Sequence, residues 1–73
     1  MATTSPDIRE HDVVRLRQPL GKWPIAQEGT VLAEKGAWRL VEIADDRGVM
    51  LDLISVREGD LDVVWKPGWG PST

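Results

Sequence analysis

The 73-residue chain has no cysteine, no phenylalanine and no tyrosine, and only one histidine. Without cysteine there is no disulfide framework, no thiolate zinc site and no cysteine nucleophile. Long apolar runs are missing too: nothing approaches the ~20 residues a membrane-spanning helix needs. The opening MATTSPDIRE is polar and acidic, without the basic start or apolar segment of a signal peptide. A cytoplasmic protein is therefore expected. Positive charge is in short supply as well. Nine Lys and Arg against twelve Asp and Glu leave a formal charge of -3 and a pI near 4.9. That balance disfavours a surface built to neutralise phosphates. A chain this short makes at most one domain with a small core.

What is present is alternation. In DVVRLR (12–17), Val14 and Leu16 take one face and Val13, Arg15 and Arg17 the other, the period of a half-buried strand. Residues 18–28 contain Pro19, Gly21 and Pro24, which forbid a continuous helix or a central strand and leave a long loop carrying Trp23. Strand character resumes over 29–33, and Glu34-Lys35-Gly36 reads as a hairpin connection. AWRLVEIA (37–44) is the next strand. Its apolar residues change face between Leu40 and Val41, so a β-bulge is expected near Arg39 and Leu40. Asp45-Asp46-Arg47-Gly48 is a second hairpin turn, 49–54 a fourth strand, 57–60 a tight turn or single 3₁₀ turn, and LDVVW (61–65) the last strand.

Five short strands, a long first loop, two tight hairpins and a helical turn before the last strand predict an all-β fold, a small five-stranded SH3-like barrel over 11–65. Closing the sheet on itself would remove the edges that so small a chain cannot cover with helices. A flexible N-terminal arm (1–10) and an irregular Pro/Gly/Trp tail (66–73) are expected to flank it.

The segments DVVRLRQPL, EGTVL, LVEIADDRG and VREGDLDVV, spread over residues 11–64, resemble a family of small bacterial proteins, domain-of-unknown-function family 4926 (DUF4926). The resemblance implies an SH3-like barrel and a role as a small partner protein, with an immunity or antitoxin function beside a toxin-like protein as one form of it. It implies no catalytic residues.

Several residue sets invite a functional reading. Gly29-Thr30-Val31 resembles the strand opening of KOW-type RNA-binding barrels, but Gln27 and Glu28 replace the lysines and aromatics that RNA requires, so the glycine reads as a structural corner. Arg15, Arg17, Lys22 and Arg39 are the residues a nucleic-acid-binding alternative would use. His11, Asp12 and Ser55 could be drawn as a hydrolytic set, but His11 sits where an arm meets a strand, a poor place for preorganisation. Asp45, Asp46, Asp52, Asp60 and Asp62 fit no calcium-loop spacing and read as turn formers, so neither metal nor cofactor is expected. Four tryptophans are the odd feature. Trp38 and Trp65, in strands, are the core candidates, whereas Trp23 in the loop and Trp69 in the tail are harder to absorb. A polyproline reader would want tyrosines that this chain lacks. The expected function is a non-catalytic protein-binding module docking on another, basic or toxin-like, protein. Trp23, Trp38 and Trp69 would be its apolar anchors, with Glu42, Asp45 and Asp46 as polar rim. An accessory subunit of a larger enzyme, the role of SH3-like barrels in nitrile hydratase, is a further form of the same idea.

Overall fold

A computed structural model describes residues 7–70. Five antiparallel strands form one sheet: β1 (Val13–Leu16), β2 (Glu28–Lys35), β3 (Trp38–Ala44), β4 (Met50–Arg57) and β5 (Leu61–Trp65), with a 3₁₀ turn at Glu58–Asp60. The order across the sheet is β4-β3-β2-β1-β5. That order, with the 3₁₀ turn ahead of the last strand, makes an all-β, SH3-like barrel. The sheet curls but does not close, because β4 and β5 are its two edges and do not pair. The expected closure is corrected on this point.

The curl is concentrated in β2. Its first residues pair with β1 (Val14 opposite Gly29) and the remainder with β3 (Val31 opposite Val41). Between Val31 and Ala33 the register shifts, leaving Leu32 as the extra residue of a bulge. A bulge increases local twist and bends its strand. The bulge anticipated in β3 therefore lies in its neighbour. β3 itself alternates without a slip: Arg39, Val41 and Ile43 point inward, and Trp38, Leu40 and Glu42 outward. Gly29 is buried beside the bend, and a Cβ there would sit 2.6 Å from Val41 Cγ1 and 2.7 Å from the Glu42 carbonyl oxygen. The glycine lets two strands approach closely, and it does so without a positive φ.

The core consists of Ile8, Val14, Leu16, Val31, Val41, Ile43, Val56 and Leu61. Two of these were not anticipated. β4 continues past the expected end at residue 54, and its core residue is Val56; Val49, Leu51 and Leu53 are exposed. Ile8 is buried although it precedes the first strand, so the described end of the arm belongs to the folded body. Residues 1–6 of the expected arm and 71–73 of the tail lie outside the described residues. From Lys66 to Gly70 the chain is irregular, as its proline and glycines require. A turn brings Trp69 N–H to the Lys66 carbonyl (3.0 Å), and Trp65 Nε1 donates to the Gly70 carbonyl (2.6 Å).

Candidate functional site

Two polar clusters fasten the segments just before β1 and just after β5 to the barrel. In the first, Arg39 points inward from β3 and is 7% exposed. Its Nε donates to the Ile8 carbonyl (2.6 Å), its Nη1 to the carbonyls of Gly36 (2.7 Å) and Trp38 (2.8 Å), and its Nη2 to Glu58 Oε2 (3.0 Å). Glu58 in turn accepts the Ile8 N–H at 3.3 Å. A guanidinium is always charged and carries five donors, so it can be buried only where acceptors surround it, as they do here. In the second, the buried Asp12 carboxylate accepts the Arg9 N–H (2.8 Å) and bonds the Lys66 ammonium, which also reaches the Asp7 carbonyl. Both clusters are fully partnered: among the described residues, no buried side-chain nitrogen or oxygen lacks a hydrogen bond.

These clusters dissolve two of the sequence-level candidates. Arg39 is withdrawn from the surface, and Arg17 bonds the Gly59 carbonyl (3.1 Å) and faces Asp62 at 3.7 Å. Lys22 lies over the Trp23 ring at 5.1 Å. Arg15 is left exposed on β1 opposite Asp62 and Glu28. The cations drawn together by the nucleic-acid alternative thus do not form a carboxylate-free face. His11, Asp12 and Ser55 are equally dispersed. Asp12 is occupied by Lys66 and Arg9, while Ser55 sits on the outer face of edge strand β4, opposite Leu40.

The acidic residues serve locally. Asp45 Oδ1 accepts the N–H groups of Arg47 and Val49, both at 2.9 Å, and so closes the β3–β4 turn. Asp46 is exposed beside it. Asp52 Oδ2 accepts Trp23 Nε1 at 2.7 Å and Oδ1 accepts the Leu53 N–H at 2.8 Å. These two bonds, the tryptophan's first, hold the Asp52 carboxyl below the usual carboxylate range. Through this bond the long loop folds back over the open side of the barrel, where Trp23 packs on the core with Ile54 and Val63. Trp23, rather than the expected Trp38 and Trp65, is the tryptophan that packs on the core. Among the described residues Trp38 is 44% and Trp69 58% exposed.

The outer face of β2, β3 and β4 gathers what remains. Antiparallel partners share a face, so the register places Lys35, Trp38 and Arg57 in one row across the three strands. Ala33, Leu40 and Ser55 make the next row, and Thr30, Glu42 and Leu53 a third. The Arg57 guanidinium lies 4.9 Å from the Trp38 ring centroid, a cation–π contact. The small Ala33 and Ser55 leave the middle row low, and a groove of about 570 Å³ opens there against Trp38. Leu53, Leu51, Met50 and Leu32 extend the exposed apolar surface. Of the expected docking residues, Trp38 and Glu42 share this face. Trp23 lies on the opposite, inner side of the sheet, and Trp69 follows β5 at the far edge, so the three tryptophans do not make one patch. Leu53 was missed because alternation over 49–54 does not say which face meets a core, Leu40 because the expected β3 bulge would have buried it, and Arg57 because 57–60 reads as a turn. Compared with known proteins, the chain matches no family model, no curated protein and no solved structure.

Proposed function

We propose that this barrel is a small non-catalytic docking module that binds another protein through the outer face of β2–β4. The observation that carries the reading is the exposed tryptophan beside a groove, flanked by leucines, on a sheet whose inner face already has its own core. An exposed aromatic beside an apolar depression is the kind of anchor that dominates protein–protein contacts. Glu42 in the third row and exposed Asp46 at the adjoining turn, on a chain of net charge -3, suit a partner with a basic surface, with charge attraction aiding encounter. A toxin-like partner, as the resemblance to the DUF4926 proteins implies, or an enzyme that this module serves as an accessory subunit is compatible with that chemistry.

The test compares wild type with Trp38→Ala as affinity baits in lysate from the source organism, at low and high salt. The expected result is a basic protein retained by wild type, released by salt, and bound about thirtyfold more weakly by the variant, the scale of one interface hot spot. Equal retention by both baits, or none by either, overturns the docking face. Recovery of RNA instead transfers the function to nucleic-acid binding.

A further inference from the structure

The hydrogen-bonding edge of β4 is a separate feature from the face just described. The Glu58 N–H donates to the Ala37 carbonyl at 2.8 Å, and this fixes the phase of the β3–β4 ladder. Asp52, Ile54 and Val56 turn their peptide groups toward β3. Those of Leu53, Ser55 and Arg57 point away from it, along the open edge of the sheet. Among the described residues only the Leu53 N–H is taken, by Asp52 Oδ1. Most exposed edges carry a proline, a lysine or a bulge as protection. Over Leu53-Ile54-Ser55-Val56-Arg57 this one has none of these, because the β4 irregularity lies below it, near Leu51.

An unpaired edge demands an extended strand as its occupant, and this stretch is complementary to itself. Laid antiparallel on a second copy about a two-fold axis through Ser55, each Ser55 exchanges both backbone bonds with its counterpart. Each Arg57 N–H meets the opposite Leu53 carbonyl, and the Leu53 N–H stays with Asp52. Side chains match as well. On the inner side Ile54 falls opposite the partner copy's Val56, apolar on apolar. On the outer side the central pair is serine on serine, small enough to avoid a clash. Arg57, already stacked on Trp38, faces the second copy's Leu53, and beyond that leucine in the same row lies the second copy's Glu42. A basic group thus reaches toward an acidic one across the interface at both ends of the pairing. Registers centred on Leu53 or Ile54 lack this match, since they set Arg57 against Val49 or Leu51.

We propose that two copies of this chain associate through β4, residues 53–57 pairing with themselves about Ser55, to give one continuous ten-stranded sheet with both Trp38 grooves on the same surface. The pairing does not depend on the docking reading above: Ser55 also lines the groove, but the pairing uses its backbone N–H and carbonyl at the strand edge, not the face that carries Trp38. It is smaller than the ~800 Å² per partner of a stable complex, so association should be weak, with a Kd on the order of 10⁻⁴ M.

The absence of native cysteine makes the register directly testable in the full chain. In a hydrogen-bonded antiparallel pair the Cα atoms stand about 5.5 Å apart, within disulfide range. Mild oxidation of Ser55→Cys should therefore give a covalent dimer. Leu53→Cys should not, because about four strand residues separate it from its own counterpart, on the order of 13 Å. Sedimentation equilibrium should find Ser55→Pro folded by circular dichroism but associating at least about tenfold more weakly, since the proline removes only an outward-pointing N–H. Failure of Ser55→Cys to cross-link at millimolar concentration, cross-linking of Leu53→Cys as fast as Ser55→Cys, or unchanged association of a folded Ser55→Pro would each overturn the proposal. The docking reading fails independently, on Trp38→Ala.

Discussion

The two faces of β3 invert the usual placement of charge and hydrocarbon. Arg39, with a full positive charge, points inward and is buried, whereas Trp38, one residue earlier, points outward and is nearly half exposed. The difference lies in what each face offers. Inside, the carbonyls of Ile8, Gly36 and Trp38 and the Glu58 carboxylate converge on one point, and four acceptors around a guanidinium offset its desolvation. Outside, no other described residues cover β2–β4, so its tryptophan and leucines stay in water, where a partner could bury them. Burial here follows the availability of hydrogen-bond partners more than the polarity of the residue. The consequence is a division of labour: the inner face holds the chain together, and the outer face is free to bind.

Removing the inner charge should produce the largest effect. Arg39→Met strands three carbonyls and Glu58 and releases Ile8, at a cost on the order of 3–5 kcal/mol. A domain of this size has only about 4–11 kcal/mol in total, so much of the population should unfold. Urea titration followed by tryptophan fluorescence measures this, and a loss under about 1 kcal/mol would refute the clamp. Gly29→Ala comes next. Its Cβ would collide with Val41 and a backbone carbonyl, which predicts a loss of about 1–3 kcal/mol by thermal melting. On the outer face Trp38→Ala should change stability far less than either, even as it weakens docking about thirtyfold.

The smallest effect belongs to the loop. Trp23→Phe keeps most of the packing but removes the indole bond to Asp52. Because that bond holds the folded-state carboxyl below its unfolded value, its stabilisation is fully present above the unfolded pKa, near 3.9, and fades as pH falls through the lower folded one. Wild type should exceed the variant in melting temperature at neutral pH, and the gap should narrow as the medium becomes more acidic than about pH 4. A gap independent of pH would mean the loss is packing alone.

Much of the fold could be read from single residues. The strand positions, the turn at Asp45-Gly48 and the helical turn before β5 follow from alternation and turn chemistry, both local properties. The candidate face was only half readable. Trp38 and Glu42 stood out by composition and charge, but Leu53 and Arg57 did not. Period-two alternation in β4 separates its faces without saying which one meets a core, and the leucine-bearing face turned out to be the solvent side.

Alternation, prolines and glycines by themselves determined that the chain would be all-β, in five strands, with the long loop between the first two. Which face of each strand is buried, where the sheet bends and stays open, and that an arginine would be enclosed while a tryptophan is left outside were decided by tertiary structure. Those outcomes depend on carbonyls, carboxylates and neighbouring strands that lie many residues away in sequence and meet only once the sheet has curled.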